Sequence, residues 1–367
     1  MKTPLLVFGE DWGGLPSSTQ HLVSQLAQDR DIYWVNSIGL RKPKLSLRDL
    51  GRVWQKVRAR FAATGSAPEV TDLPPINVLK PLTLPAPSSR WGRWLAKTLT
   101  ARQIHRAWPE LKSQRPYVWT SLPTAGDLKG AFNESGWVYY CCDDFEALAG
   151  VDHKTVRDHE LDLLASADRV VVTSHWLANK HADAKPIQVD HGVDLDLFSQ
   201  PTAPAPEMTR ACVGFYGSLD QWVDFDRIKR LAQARPSIDF HLIGRGPVMP
   251  ERLPENVKLL GYRSHDALPS YAQHWRACLL PFVESDQIKA CNPLKLREYL
   301  ATGRPVISSS FPASQQFSEV VLANSDEDWL IAIDQALDTP NRVPPAWLAQ
   351  HSWQAIAQRI DNFIRSA

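Results

Sequence analysis

Twelve short apolar runs, bounded by Gly, Pro or Asp and alternating with helix-period segments, set the strongest limit on how this chain can fold. Continuous apolar runs of this length, without polar alternation, belong to strands covered on both faces. Such strands lie parallel and are joined by crossover helices. Seven runs lie in the first half: Leu5–Phe8, Ile32–Val35, Val78–Leu79, Tyr117–Trp119, Trp137–Cys141, Arg169–Thr173 and Ile187–Val189. Five follow in the second: Val213–Tyr216, Phe240–Ile243, Val257–Leu260, Ala277–Pro281 and Pro305–Ser308, with helical patterns at Phe225–Ala234 and Asn292–Thr302. Between the halves Ser199–Arg210, SQPTAPAPEMTR, has three prolines and no periodicity, which marks a linker. The fold class is therefore α/β, with a first domain over 1–198, a linker over 199–210 and a second domain over 211–345. At 367 residues the chain is long enough for two cores of ordinary size.

Composition narrows the class. With 44% hydrophobic and 22% charged residues, and 41 basic against 40 acidic, the chain is neither disordered nor a uniformly basic nucleic-acid binder. No apolar run approaches the roughly 20 residues of a membrane-spanning helix, and none resembles a secretory signal. The five cysteines have no zinc spacing and form no even disulfide set, so reduced thiols in the cytoplasm are expected.

Several segments carry polar groups suited to chemistry. After Leu5–Phe8, Gly13 and Gly14 give a flexible turn ahead of a helix capped at Ser17 or Ser18, a form that aims backbone N–H groups at the carboxyl ends of the strands, or is a plain strand-to-helix turn. Asp143 and Asp144 follow the run ending at Cys142, where a parallel strand delivers both carboxylates to the sheet's rim. Asp144 is the preferred general base with Asp143 in support; a helix cap is the structural alternative. In CNPLKLREYLATG, Asn292, Lys295 and Glu298 recur every three residues, placing a cation near a helix start and a carboxylate one turn on. Those are the partners a diphosphate and a ribose need, or an ordinary surface ion pair. Asp194 and Asp196 form a DxD tripeptide with no third ligand nearby in sequence, and no metal site is expected.

NPLKLREYLATGRPVIS, with GYRSHDALPSYAQHWRACLLPF, VGFYGSLDQWVDFDRI and FHLIGRGP ahead of it, resembles the nucleotide-binding half of GT-B glycosyltransferases of the family 4-like, group 1 type. HGVDLDLF, starting at His191, resembles an element of the same group, and YYCCDDFEAL with HELDLLASADRVVVTSHWL resembles first-half segments of bacterial exopolysaccharide transferases. The resemblance implies two Rossmann-like domains facing a cleft. The second would bind a nucleotide-diphosphate sugar and the first the acceptor, with a C-terminal helix in 346–367 crossing back to the first. It implies that Glu298 holds the ribose, that Lys295 and the backbone at Gly217 and Ser218 hold the diphosphate, that Asn292 belongs to the same donor site, and that Tyr262 and Arg263 lie near the base. Gly13, Gly14 and His191 would then line the acceptor side. The implied function is sugar transfer to a glycan acceptor, lipid-linked in surface polysaccharide synthesis, with no metal or other cofactor; a soluble acceptor or a non-catalytic nucleotide-sugar binder is the alternative. The sequence departs from the family at Ala290, where a second glutamate is usual, and in having no basic residue between Gly217 and Arg227.

The near-zero net charge hides an asymmetry. From Arg41 to Arg115 there are 16 basic and 4 acidic residues. Arg48, Arg52, Lys56 and Arg60 recur every four residues beside Trp54, and a second basic segment beginning at Arg90 includes Trp91 and Trp94. Basic helical faces beside tryptophan suit an anionic membrane surface, so a peripheral location on the inner face of the plasma membrane is expected. Nucleic acid is not expected as a partner, because no recognition motif accompanies the charge.

Overall fold

Every residue of Leu5–Phe8, Ile32–Val35 and Tyr117–Thr120 is buried, as strands sandwiched between helices must be. These are β1, β2 and β4 of a seven-stranded sheet that also contains β3 (Asn77–Leu79), β5 (Gly136–Cys141), β6 (Arg169–Val172) and β7 (Ile187–Gln188). Its order is β3-β2-β1-β4-β5-β6-β7, all parallel. A second parallel sheet, in the order β10-β9-β8-β11-β12-β13, is built from β8 (Cys212–Tyr216), β9 (Asp239–Ile243), β10 (Val257–Gly261), β11 (Cys278–Leu280), β12 (Val306–Ser308) and β13 (Val320–Leu322). The computed structural model describes residues 3–14, 17–38, 73–84, 87–148, 151–248, 252–339 and 346–366. Each sheet reverses its strand order once, at β1/β4 and at β8/β11, the points where open parallel sheets hold ligands.

The chain divides into one unit of residues up to Val172 with Leu177–Gln188 and Ala357–Ala367, and another of Thr173–Trp176 with Val189–Ile356. This corrects the expected boundary. His191–Phe198 does not close the first domain but packs on the second, where Phe198 is fully buried and stacks at 6.4 Å on Tyr216. The proline-rich segment follows it: Gln273 Nε2 donates to the carbonyls of Phe198 and Gln200 at 2.9 and 2.7 Å, and Thr202 N donates to Gln273 Oε1 at 2.9 Å. A stretch expected to be a free linker is thus a strap held by buried Gln273. The return helix, Trp353–Arg365, begins in the second unit and from Ala357 belongs to the first. There Asp361 pairs with Arg30 and Arg365, and Arg169 lies 5.2 Å from the Phe363 ring.

β13 has no counterpart in the expected strands. Residues 320–323, VVLA, are a short apolar run like the others, but at the sheet's edge Val321 and Leu322 are left 40% and 39% exposed. The second basic segment is the helix Arg90–Ala107, whose N-cap Ser89 accepts from Gly92 N at 3.0 Å. The first, with Arg48, Arg52, Trp54, Lys56 and Arg60, lies outside the described residues.

Candidate functional site

The second unit gathers its polar groups at the carboxyl end of β8. The strand leaves through Gly217 at φ +141°, a conformation L side chains rarely adopt, and a Cβ there would stand 2.8 Å from Lys295 Cε. Beside it, Gly244 (φ +145°) leads out of β9 so closely that a Cβ would meet Gly217 O at 1.8 Å. Two glycines therefore let the β8 and β9 exits press backbone to backbone, joined by Gly217 N to Ile243 O at 2.9 Å and Leu219 N to Arg245 O at 3.0 Å. The helix Leu294–Ala301 brings Lys295 against this turn. Its ammonium lies 5.3 and 5.8 Å from the Phe215 and Phe282 ring centroids and, among the described residues, makes no hydrogen bond or ion pair. Burial pushes its pKa below the ordinary lysine value, against the opposing pull of Cys291 and Glu298. An unpaired cation on aromatic faces, at a glycine turn and a helix start, is a place for an anion.

One turn along the same helix, Glu298 is held at both oxygens. Tyr216 OH donates to Oε2 at 2.6 Å and His265 Nε2 lies 2.7 Å from Oε1. Tyr216 is buried, and burial together with the charge of Glu298 drives its phenol well above its ordinary value, so it remains a donor. Burial lowers the His265 pKa, but the hydrogen bond to Glu298 and the charges of Glu298, Asp194 and Asp266 outweigh it and the net shift is upward. Two groups at this edge carried no expected role. One is His265; the other is Arg245, exposed, with its guanidinium 5.3 Å from the Tyr262 ring. Arg245 supplies a cation from β9 where the segment after β8 has none, and the signal was the strand-to-glycine transition in FHLIGRGP.

Other expected donor residues are committed elsewhere. Asn292 is buried and bridges Thr173 O (2.6 Å) and Arg297 Nη1 (2.9 Å), so it serves as a strut rather than a ligand group. Arg263 clamps the strap, with Nη2 on Glu207 Oε1 at 2.8 Å and Nε on Tyr271 OH at 2.9 Å. Ser218 is exposed beside Gly217. His191 belongs to the second unit rather than the acceptor side, and burial with the charge of Arg297 lowers its pKa to about 3, so it is neutral at pH 7. Asp194 caps the helix Leu195–Ser199 by accepting from Leu197 N at 3.0 Å, which gives the first aspartate of the DxD tripeptide a structural role.

In the first unit, Gly13 (φ +76°) and Gly14 form the turn after β1, but their N–H groups are spent internally, on Gln20 Oε1 at 3.1 Å and Asp11 O at 3.0 Å. The expected role of these amides in binding therefore does not follow from the turn. Of the two aspartates after β5, Asp144 is 8% exposed, bridges to Lys180 and accepts from Glu146 N at 3.0 Å. Asp144 is thus engaged by an ion pair and by a turn hydrogen bond, which leaves Asp143 the less committed of the two. Asp143 is open to solvent yet crowded by protein, and desolvation with the charge of Asp144 raises its pKa to about 6. Burial also raises Glu10, after β1, and Asp143 adds to that shift. For a metal, the described residues bring together Cys141, Glu160 and His181, buried, with donor atoms within 4.8 Å of one another. Tyr139 OH already donates to Glu160 at 2.6 Å, and this cluster lies in the other unit from Glu298.

Residues 211–339 match the family model for glycosyl transferases group 1. The chain is 26% identical over 256 residues to the putative teichuronic acid biosynthesis glycosyltransferase TuaH of Bacillus subtilis, covering 61% of this chain and 64% of that protein. It is 26% identical over 203 residues to the UDP-glucuronate:glycolipid 2-beta-glucuronosyltransferase of Xanthomonas campestris, covering 53% and 49%. The chain thus spans less than two thirds of the length of these relatives. In fold it is similar to Anabaena HepE in complex with UDP-glucose (TM-score 0.67, 13% identity, 99% and 100% of the chains). It is similar too to sucrose-phosphate synthase of Thermosynechococcus elongatus (TM-score 0.65, 16% identity, 100% and 99%). The chain therefore has the GT-B fold, and residues 211–339 of its second unit are similar to the glycosyl transferases group 1.

Proposed function

We propose that this protein transfers a sugar from a nucleotide-diphosphate donor, held by the second unit, to a glycan acceptor in the synthesis of a bacterial surface polysaccharide. The observation that carries the reading is Glu298, fixed at both oxygens one helical turn from the unpaired ammonium of Lys295. A carboxylate so held accepts from a ribose diol, while Lys295, the turn at Gly217 and Arg245 meet the diphosphate's charge without a metal. The relatives named for teichuronic acid and glycolipid synthesis, and the likeness to a protein crystallised with UDP-glucose, support the substrate class.

Asp143 is the proposed base. Its pKa of about 6 leaves it ionised at pH 7, yet basic enough to take a proton from an acceptor hydroxyl as the new bond forms. A lipid-linked acceptor at an anionic membrane fits the basic segment and the helix Arg90–Ala107, where Trp91 and Trp94 are 73% and 56% exposed with ring centroids 5.5 Å apart. A non-catalytic nucleotide-sugar binder is favoured by one observation: Ala290, 1% exposed, stands where the family's second carboxylate is usual. Incubation with UDP- and GDP-sugars and a bacterial membrane extract separates the two. Acceptor-dependent release of the nucleoside diphosphate supports transfer. Donor binding without release supports the binder, and absence of both removes the nucleotide-sugar reading.

A further inference from the structure

The turn after β1 holds an aromatic ring that the donor reading leaves without a task. Trp12 is partly exposed, and one side of its ring packs on the fully buried Trp34, with centroids 4.7 Å apart. The turn is fixed from β2: Trp12 N donates to Asn36 Oδ1 at 3.2 Å, and Trp34 Nε1 donates to Glu10 O at 2.9 Å. Among the described residues, Trp34 is the one ring against Trp12, and the Trp12 indole N–H makes no hydrogen bond. Carboxyl groups gather at the same turn. Glu10 accepts from Ser17 Oγ and, at 3.5 Å, from Gln20 Nε2, while Asp11 is exposed. Burial raises the Glu10 pKa, and the charge of Asp143, from β5 across β4, adds to it. Burial and Asp144 raise Asp143 in turn, and the cation near Asp144, Lys180, is shared between Asp144 and Glu146. Buried polar atoms are ordinarily bonded, yet Asn36 Nδ2 and, one residue past β4, Ser121 Oγ have no hydrogen-bond partner. These groups follow β2, β1, β4 and β5, around the reversal of strand order where an open parallel sheet holds its ligand.

We infer that Trp12 is the platform on which a sugar ring of the acceptor stacks, and that the carboxyl groups around it select an uncharged ring. The inference rests on the transfer reading above. A pyranose is amphipathic: its C–H face is apolar and suits an indole face, while the hydroxyls on its rim donate to carboxylates and accept from N–H and O–H groups. A ring already held by Trp34 and Asn36 loses little freedom when it is covered. The charge decides the class of sugar. A uronate or a phosphorylated sugar would bring its anion against Asp11 and Asp143, whereas a neutral ring offers the same carboxylates hydroxyl donors. A hydroxyl held at Asp143 is also the one that the proposed base would deprotonate.

The test is binding of the methyl β-glycosides of glucose, galactose, N-acetylglucosamine and glucuronic acid at pH 7.5, titrated by saturation-transfer NMR with and without UDP. At least one of the three neutral glycosides should bind, and the glucuronide should bind about tenfold more weakly than that one. Trp12→Ala should weaken the neutral glycoside about tenfold, and Trp12→Phe, which keeps a ring, should restore most of the loss. Asp143→Asn removes a charge that is present at this pH and should tighten the glucuronide roughly fivefold while the neutral glycoside changes little. Calorimetry with UDP-glucose and GDP-mannose on the same proteins should show native donor affinity throughout. The selectivity of the native protein and of Asp143→Asn involves no change at Trp12, so it decides the matter even where Trp12→Ala fails to fold. Absence of any neutral glycoside binding, a glucuronide bound as tightly as the neutral rings, or native binding by folded Trp12→Ala refutes the inference while donor binding stands. If neither nucleotide sugar binds the native protein, the transfer reading itself falls, and this inference with it.

Discussion

Replacing Glu298 by alanine tests both the site and the packing beneath it. On sequence alone this change affects donor affinity and leaves folding nearly untouched. The structure alters that expectation. Glu298 accepts from the phenol of Tyr216 at 2.6 Å, and Tyr216 is 4% exposed, so the alanine leaves a buried hydroxyl with no acceptor on that side. A hydrogen bond to a charged group contributes about 1.5–3 kcal/mol, and an unsatisfied buried donor costs a similar amount. Glu298→Ala should therefore lower stability by about 2 kcal/mol, and Tyr216→Phe, which leaves the carboxylate reachable by His265 and water, by about 1 kcal/mol. The double variant has no orphaned hydroxyl and should be no less stable than Glu298→Ala alone. Donor affinity should fall by about a further 2 kcal/mol, near thirtyfold in Kd, with Glu298→Ala and with the double variant alike. Urea unfolding of the four proteins closes the stability cycle and calorimetry closes the binding cycle. Stability losses that add to within about 0.5 kcal/mol would refute the coupling.

Asp143→Asn should cut turnover by about a hundredfold or more while donor affinity is kept, and native turnover should decline as pH falls through about 6, where Asp143 takes up its proton. Asp144→Asn should instead lower the melting temperature, because it breaks the partly buried contact with Lys180. Gly217→Ala should weaken nucleotide-sugar binding at least tenfold, since its Cβ would stand 2.8 Å from Lys295 Cε at a φ of +141°; unchanged calorimetry would show that Lys295 is not where the donor sits. Trp91→Asp with Trp94→Asp should reduce sedimentation with anionic vesicles at low salt and leave nucleotide-sugar affinity unchanged.

What the sequence disclosed and what it hid follow from where the signals come from. Strands covered on both faces are mostly apolar, so β1, β2 and β8 stand out as runs, and the helix Phe225–Ala234 shows its buried stripe at Phe225, Ile228, Leu231 and Ala232. The edge strand β13, Val320–Leu322, is equally apolar yet half open to solvent, so there the apolar run does not report burial. The unit boundary was misplaced because three prolines read as a free linker, whereas Gln273, some seventy residues away, holds that stretch down through its backbone. The same distance effect governs the site. Lys295 and Glu298 share one helix and could be read together, but His265 and Tyr216 meet Glu298 from other elements. The choice between Asp143 and Asp144 likewise turned on Lys180, which no local pattern links to either.

A crystal structure of the protein with bound UDP-glucose or GDP-mannose tests the central claim most directly. The account predicts ribose hydroxyls about 3 Å from the two oxygens of Glu298, a diphosphate between Lys295 and the Gly217 turn, and no metal bridging the phosphates. A nucleotide bound away from the carboxyl end of β8, or one whose ribose makes no contact with Glu298, would contradict it.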